Sequence, residues 1–295
     1  MKIAVLGPQG TFSDKAYLEY RKHCENTGAD FDELEPVYFP TIDDVFYAVC
    51  PEDEATAGNR DEDICTLGIV PIENTLDGYV QRTLDLLLER DVYILDENKV
   101  SVQFALVGNV NQLSEIKKLY VQFKANGQCR RFINSLNGVE IITTDSNMES
   151  YYKIGNEAGA AAIVPKHIAD EEKDRFVIEN VTDADKNHTR FVVFKCGAFD
   201  EQNVAKSDAE CKVRIPVYIM PSTDRPGILF EILKGFYEKQ VNLISIISRP
   251  TKQKMGTYNF YLEIDGLYEQ LDEILGILRQ IQVHNDIKIL GVYDE

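Results

Sequence analysis

Lys2-Ile3-Ala4-Val5-Leu6-Gly7-Pro8-Gln9-Gly10-Thr11-Phe12-Ser13 opens the chain. The first five residues read as an apolar strand, Gly7 to Gly10 carry turn chemistry, and a helix begins near Ser13, a candidate N-cap. A strand that passes through a glycine turn into a helix is the first half of an α/β unit. The same alternation continues for about 195 residues, so a parallel or mixed α/β sheet is expected.

Outward from this stretch, Val37 to Phe39 and Thr66 to Val70 read as further strands. Between them Pro51 to Asp63 is acidic, with little apolar content, and reads as a solvated loop without chemistry. Tyr79 to Leu88 reads as a helix because Val80, Leu84, Leu87 and Leu88 recur at helical spacing. From about residue 100 a second group begins, with Phe104 to Val107, Ile141-Ile142 and Ala160 to Val164 as strands. Val177-Ile178 and Arg190 to Phe194 then read as strands returning to close the unit. Two lobes joined by chain crossings enclose a cleft, a common place for a small ligand.

Asp200 to Glu210 is polar and aperiodic, a linker. Beyond it come a strand (Val213 to Ile219), a helix (Gly227 to Glu238), two strands (Leu243 to Ser248, Thr257 to Ile264), a helix (Leu267 to Leu278) and a strand (Ile287 to Val292). This βαββαβ order is the ferredoxin-like arrangement. Its sheet has free edges, and edge strands commonly pair across a two-fold axis, so dimerisation is expected here.

The 295 residues, 44% hydrophobic and 27% charged, suit a globular protein of two or three domains. No window approaches the roughly 18 apolar residues that span a bilayer, and the N-terminus runs into a strand instead of a signal peptide, so no membrane partner and a cytoplasmic location are expected. Cys24, Cys50, Cys65, Cys129, Cys196 and Cys211 lie far apart without a Cys-x-x-Cys pair, which signals neither a zinc site nor a disulfide framework; most are expected to be reduced core residues. A formal charge of -18 argues against nucleic acid and anionic membranes, because phosphate neutralisation needs clustered Lys and Arg. An anionic ligand would be repelled at long range. A site for one depends on local donors: a particular Arg, backbone N–H groups and helix N-termini.

Three segments carry candidate chemistry. In Gly7 to Ser13 the N–H groups of a helix start and the hydroxyls of Thr11 and Ser13 can hold an anion; a plain capped turn reads equally well. The glycine spacing of a dinucleotide fingerprint and the lysine of a P-loop are absent. Val70-Pro71-Ile72-Glu73-Asn74-Thr75 places an acceptor and a donor where a strand ends, at the edge where open α/β folds bind ligands, or else caps the following helix with Asn74 or Thr75. Asn187-His188-Thr189-Arg190-Phe191 sets a hydroxyl, a guanidinium and a ring before the apolar run Val192-Val193-Phe194. Arg190 suits a carboxylate through two parallel N–H bonds, and β-branched Thr189 can aim its hydroxyl with little entropy lost.

Together these segments resemble the prephenate dehydratase family: Gly7 to Ser13, Pro71-Ile72-Glu73-Asn74 with Gly78 and Thr83 to Leu87, and Asn187-x-Thr189-Arg190-Phe191 fall in that family's order and spacing. The C-terminal unit resembles the family's ACT regulatory domain, with Arg225-Pro226-Gly227-Ile228-Leu229 and Ser248-Arg249-Pro250 at its effector motifs. The resemblance implies a two-lobed, periplasmic-binding-protein-like catalytic domain over residues 1–198 (lobe one about 1–100 and 175–198, lobe two about 101–174), a linker over 199–210 and the ACT domain over 211–295. It also implies the monofunctional form, without a fused chorismate mutase domain, acting as a homodimer or homotetramer through ACT and catalytic domains.

The family's reaction turns prephenate into phenylpyruvate with loss of carbon dioxide and water, and needs no cofactor or metal. The resemblance assigns catalysis to Thr189, as hydrogen-bond donor to the departing hydroxyl, with Glu73 as proton source or relay, Asn74 orienting the substrate, and Gln128 also at the active site. Thr11, Ser13 and Arg190 are candidates for the substrate carboxylates, Asp145 is an acidic group of the same site, and Phe191 is expected to pack in the core. L-Phenylalanine is the implied effector, held by Pro226, Gly227, Ile228, Leu229, Asn242, Leu243, Ser248, Arg249 and Pro250. Two departures stand out: Val121-Gln122-Phe123 replaces the family's Ser-His-Pro, and Ile247 replaces the Glu of Glu-Ser-Arg-Pro. Arogenate dehydration and amino-acid sensing without catalysis are the rival readings.

Overall fold

The computed structural model describes residues 1–27, 34–51, 64–184, 186–204 and 207–294, arranged around three β-sheets. The first sheet is entered by β1 (Lys2–Leu6), β2 (Glu35–Phe39), β3 (Leu67–Asn74), the short β4 (Gly78–Tyr79) and β5 (Val92–Ser101). The second is built from β6 (Phe104–Gly108), β7 (Lys118–Gln122), β8 (Glu140–Thr144), β9 (Ala160–Pro165) and β10 (Phe176–Ile178). The chain then returns with β11 (His188–Cys196), which inserts antiparallel between β3 and β5 to give the order β2-β1-β3-β11-β5. Two crossings, β5 to β6 and β10 to β11, join the sheets as the expected two lobes.

Alternate residues of β1 show why it is apolar throughout. Ile3 and Val5 pack with Ala16, Tyr17, Tyr20 and Cys24 of the helix Phe12–Thr27, while Ala4 faces the helices Ile42–Val49 and Gln81–Glu89. A parallel core strand covered on both faces reads as a continuous hydrophobic run.

The C-terminal unit contributes β12 (Lys212–Pro221), β13 (Asn242–Pro250), β14 (Tyr258–Leu267), β15 (Asn285–Ile289) and the short β16 (Tyr293–Asp294), in the order β13-β14-β12-β15. Helices Ile228–Glu238 and Leu271–Gln282 cover one face of this ferredoxin-like sheet with Ile232, Phe236, Ile274, Leu275 and Leu278. The other face is pressed against the first lobe. Tyr218, Tyr261, Leu290 and Tyr293 share one core cluster with Phe46, Leu84, Ile94 and Phe194, and each large side chain so buried contributes roughly 1.5–3 kcal/mol. Polar bonds fix the contact: Tyr218 Oη donates to the Leu84 carbonyl at 2.8 Å, Arg249 bonds Asp85, and Arg214 bonds Glu97.

Several expectations change. Val177-Ile178 belongs to the second sheet, since β10 pairs with β6, so β11 alone makes the return crossing. Pro71 to Asn74 continue β3 instead of starting a helix. Pro71, which lacks an N–H, sits where the β3–β11 register shifts, a position proline tolerates. The helix that follows begins only at Gln81. Cys50 and Cys196 form a disulfide 146 residues apart in sequence, whereas Cys24, Cys65, Cys129 and Cys211 are not disulfide-bonded. Most of the acidic segment Pro51 to Asp63 lies outside the described residues. No helix among them is long and apolar enough to cross a membrane.

Candidate active site

The lobes meet over a cleft of about 420 Å³, within the size range of small-molecule sites. One wall is the strand pair β3 and β11, whose register sets Thr189 opposite Asn74. Asn74 Nδ2 donates to Thr189 Oγ1 at 2.9 Å, to Asn187 Oδ1 at 2.9 Å and to the His188 carbonyl at 3.2 Å. Its Oδ1 accepts from the N–H groups of Leu76 and Asp77, which fastens the turn between β3 and β4. Asn74 is therefore not a helix cap. Because Thr189 Oγ1 accepts from an amide, its own proton is left to be donated elsewhere.

Asn187 extends this network across the cleft floor. It is 1% exposed, and its Nδ2 donates to Gln128 Oε1 at 3.1 Å. Gln128 ends the helix Phe123–Gln128 on the other lobe, and its carbonyl accepts from Asp183 N–H in the returning crossing. Gln128, Asn187, Asn74 and Thr189 thus form one chain of hydrogen bonds between the lobes. The sequence motif assigns Asn187 no chemistry; its place two residues before Thr189 in the same segment is the signal for it.

The second wall is the glycine turn. Gly7 and Gly10 have φ of 81° and 86°, values that favour glycine. A Cβ on Gly10 would lie 2.6 Å from Met148 Sδ of the second lobe, so glycine permits close approach of the lobes here. The cap of helix Phe12–Thr27 is Thr11 rather than Ser13: Thr11 Oγ1 accepts from Asp14 N–H at 3.3 Å and donates to the Pro8 carbonyl at 3.0 Å. Asp14, 3% exposed, takes the Gly10 N–H at 2.7 Å. Thr11, Phe12 and Ser13 still line the cleft, with the helix N-terminus opening onto it. His167 Nε2 lies 3.1 Å from the Gly10 carbonyl, and burial pushes its imidazole below the ordinary value, keeping it neutral.

The remaining wall comes from the second lobe. Gln122 caps its own helix, its Oε1 accepting from Lys124 and Ala125 N–H at 2.7 and 3.2 Å. Val121 is buried in that lobe's core and Phe123 is exposed, so of the three departing residues Gln122 alone reaches the cleft. Lys124 is the one basic side chain among the described residues lining it, and its Nζ lies 3.9 Å from Asp77 of the first lobe. Asp145, Ser146 and Asn147 complete the rim. Lys124 was missed because the sequence reading had already assigned the cation's place to Arg190.

Arg190 and Glu73 are not brought to the cleft. Successive side chains of a strand point to opposite faces, so Thr189 and Asn74 take one face and Arg190 and Glu73 the other. There Arg190 Nη1 donates to Glu73 Oε2 and Glu263 Oε2, both at 2.9 Å, and Nη2 donates to Glu263 Oε1 at 2.9 Å and Glu97 Oε2 at 3.0 Å. Burial alone would lower the guanidinium's pKa, but the bonded Glu263 carboxylate and nearby Glu97 hold it above the ordinary value. Phe191, 2% exposed, does both things, packing in the core and showing an edge to the cleft.

The expected effector residues fall in two groups. Pro226 and Gly227 are exposed before the helix Ile228–Glu238, which carries half-buried Ile228 and Leu229; Gly227 has φ of 89°. Asn242, Ser248 and Pro250 are exposed along β13, with Leu243 half-buried. Arg249 is turned inward, its Nε donating to Asp85 Oδ1 at 3.1 Å, which makes it a tie to the first lobe instead of an open ligand group. Ile247 packs beside it against the shared core.

Comparison with known proteins agrees with this architecture. The family model described as prephenate dehydratase matches residues 3–197, and that of the ACT domain matches residues 222–281. The prephenate dehydratase of Methanocaldococcus jannaschii is 29% identical over 97% of this chain and 95% of its own length. The crystal structure of the prephenate dehydratase from Staphylococcus aureus subsp. aureus Mu50 is 28% identical, covers 99% of this chain and 100% of its own, and superposes with a TM-score of 0.73. That of the Arthrobacter aurescens enzyme, solved in complex with L-Phe, is 25% identical, covers 100% of this chain and 90% of its own, with a TM-score of 0.79. With its two-lobed domain matched almost end to end and an ACT domain behind it, the chain belongs to the prephenate dehydratase family.

Proposed function

We propose that this chain converts prephenate to phenylpyruvate, carbon dioxide and water, and that L-phenylalanine controls the rate through the ACT domain. The observation that carries the reading is the Asn74–Thr189 hydrogen bond, which leaves the threonine proton for a group in the cleft. In the reaction the ring carboxylate leaves as carbon dioxide, and its bonding electron pair enters the ring. The ring becomes aromatic as the opposite C–O bond breaks, and one proton is taken up to make water. The hydroxyl is the poor leaving group. Thr189, a very weak acid, assists by donating a strong hydrogen bond to that oxygen as charge develops on it, with the proton drawn from solvent.

The two carboxylates of the substrate require donors that a chain of formal charge -18 supplies only locally. Lys124 takes the part first given to Arg190, and the N-terminus of helix Phe12–Thr27 with Ser13 offers a second anion site. Thr11 acts through its backbone, since its hydroxyl is already bonded. Asn74 and Gln128 fix the substrate's orientation, and Asp145 accepts a hydrogen bond from it; Glu73 has no part in the chemistry.

Phenylalanine binding is read between two copies of the ACT domain. Supporting this, the effector residues lie along a free sheet edge, β13, and at the exposed start of the helix Ile228–Glu238. Ile244 and Ile246 on that edge are 42% and 45% exposed, apolar surface suited to a second copy. A homodimer or homotetramer acting in the cytoplasm completes the reading.

Ultraviolet detection of phenylpyruvate tests it, with prephenate and arogenate offered side by side. Thr189→Ala is expected to lower kcat by about 100-fold or more. Equal rates for the two proteins would sink the assignment, and faster turnover of arogenate would transfer the same site to that substrate.

A further inference from the structure

Arg190 and Glu73 stand outside the cleft, yet they are the chain neighbours of Thr189 and Asn74. The two pairs are consecutive rungs of one ladder, Thr189 opposite Asn74 and Arg190 opposite Glu73. Immediately afterwards, between Arg190 and Phe191, the register shifts. Backbone pairing is disrupted on that side of the reacting pair, so side-chain bonds must help hold the strands in place. Arg190 provides them, tying β11 to β3 through Glu73 and to β5 through Glu97.

Its strongest partner is on another domain. Glu263, fully buried on β14 of the ACT domain, receives both ends of the guanidinium fork at 2.9 Å, and Tyr261 Oη donates to its Oε1 at 2.6 Å. Directly opposite Glu263 on β13 is Ser245, between the effector positions Asn242 and Leu243 and the positions Ser248 to Pro250. One side chain therefore spans the distance from the strand beside the effector edge to the residue beside Thr189.

We propose that Arg190 is a positioning residue for the Asn74–Thr189 pair, and that Glu263 is the ACT domain's hold on it, so that movement of the effector strand changes the rate through this ion cluster. The inference rests on the functional reading above. A close-packed cluster of bonded charges has little slack. If β14 shifts, Glu263 either carries Arg190 with it or leaves a buried carboxylate without its cation, and such a choice gives two discrete arrangements.

The test uses the full-length chain and Glu263→Gln, which keeps the side chain's size and removes its charge. The expected result is a kcat for prephenate lowered about tenfold with KM changed less than about twofold, since geometry is altered and not substrate binding. The ratio of rates without and with saturating phenylalanine should fall to near one, while calorimetric titration still records phenylalanine binding. Thr189→Ser is the control: slower, with the wild-type ratio retained. Tyr261→Phe, which removes one bond to Glu263, covers failure of the first variant to fold, and is expected to reduce the ratio to a smaller degree.

A lower melting temperature with unchanged kcat and unchanged ratio would mean a merely structural role and overturn the inference. So would an unchanged ratio in Tyr261→Phe, or wild-type turnover indifferent to phenylalanine. Wild-type protein with no prephenate turnover would overturn the functional reading and the inference together; wild-type turnover beside an unaffected Glu263→Gln overturns the inference alone.

Discussion

The two faces of the β3–β11 ladder use adjacent residues for opposite purposes. Toward the cleft stand Asn74 and Thr189, neutral and joined by a single hydrogen bond of 2.9 Å. Toward the ACT domain stand Glu73 and Arg190, charged and bound into a cluster with Glu97 and Glu263. The difference shows how one strand pair can serve chemistry and stability at once. Neutral donors near the reacting bond add no net charge that would hold substrate and product equally, whereas charges on the far side fix the strands.

Changes on the cleft face should alter rate far more than stability. The largest effect is expected from Asn74→Ala, which frees Thr189 Oγ1 and breaks the chain to Asn187 and Gln128; kcat should fall by about 100-fold, with the melting temperature lowered by a few degrees as the β3–β4 turn and Asn187 lose their bonds. A loss confined to KM would show that Asn74 binds substrate without aiming Thr189. Next comes Lys124→Gln. Steady-state kinetics should record a rise of about tenfold in KM with kcat within about threefold, the signature of a contact made equally in ground and transition states. An unchanged KM would return the carboxylate site to the helix N-terminus.

The smallest effect belongs to the contact between the helix Gln81–Glu89 and the ACT domain. Asp85→Asn weakens the ties to Arg249 and Lys252, and for a pair this well covered the loss is about 1–2 kcal/mol, or roughly 3–6 °C in melting temperature. Burial raises the Asp85 pKa, but the bonds from Arg249 and Lys252 outweigh it and leave the carboxyl below its ordinary 3.8. A carboxyl lowered in the folded state contributes stability that is complete above 3.8 and fades as pH falls through its lower folded value. Melting curves of the wild type and Asp85→Asn should therefore differ fully at pH 6 and approach one another as pH falls below 3.8. A constant difference across that range would mean that the charge of Asp85 is not what ties the domains.

Much of the architecture was legible in the chain, because β1 with its glycine turn and the βαββαβ order of the C-terminal unit both follow from hydrophobic periodicity. β5 was not. Its second half, Asp96-Glu97-Asn98-Lys99, is polar and gives no strand signal, yet Glu97 is paired with Arg190 and Arg214 at a domain contact that local sequence does not encode. The site was half legible. Asn74, Thr189 and Gln128 are brought together by hydrogen bonds, while Arg190 and Glu73 were grouped with their neighbours as if a motif were a point in space. The two-residue period of a strand already required Thr189 and Arg190 to part company. Which of them would face the cleft depended on the ACT domain, a partner invisible to the pattern. Likewise the pairing of Cys50 with Cys196 depends on helix Ile42–Val49 ending beside the last residue of β11, a proximity set by the fold.

The shared core of Tyr218, Tyr261, Leu290 and Tyr293 with Phe46, Leu84 and Phe194 bears on modularity. By sequence the regulatory unit looks like a detachable cassette joined near residue 200, the kind that evolution shuffles and laboratories trim. Packing makes it a load-sharing wall of the catalytic lobe. A cut at that seam would strip a lipophilic surface bare and strand the Arg190 guanidinium beside two acids without its third. Inheritance as a single piece is thus written into the interior of the protein, whatever its modular appearance along the chain.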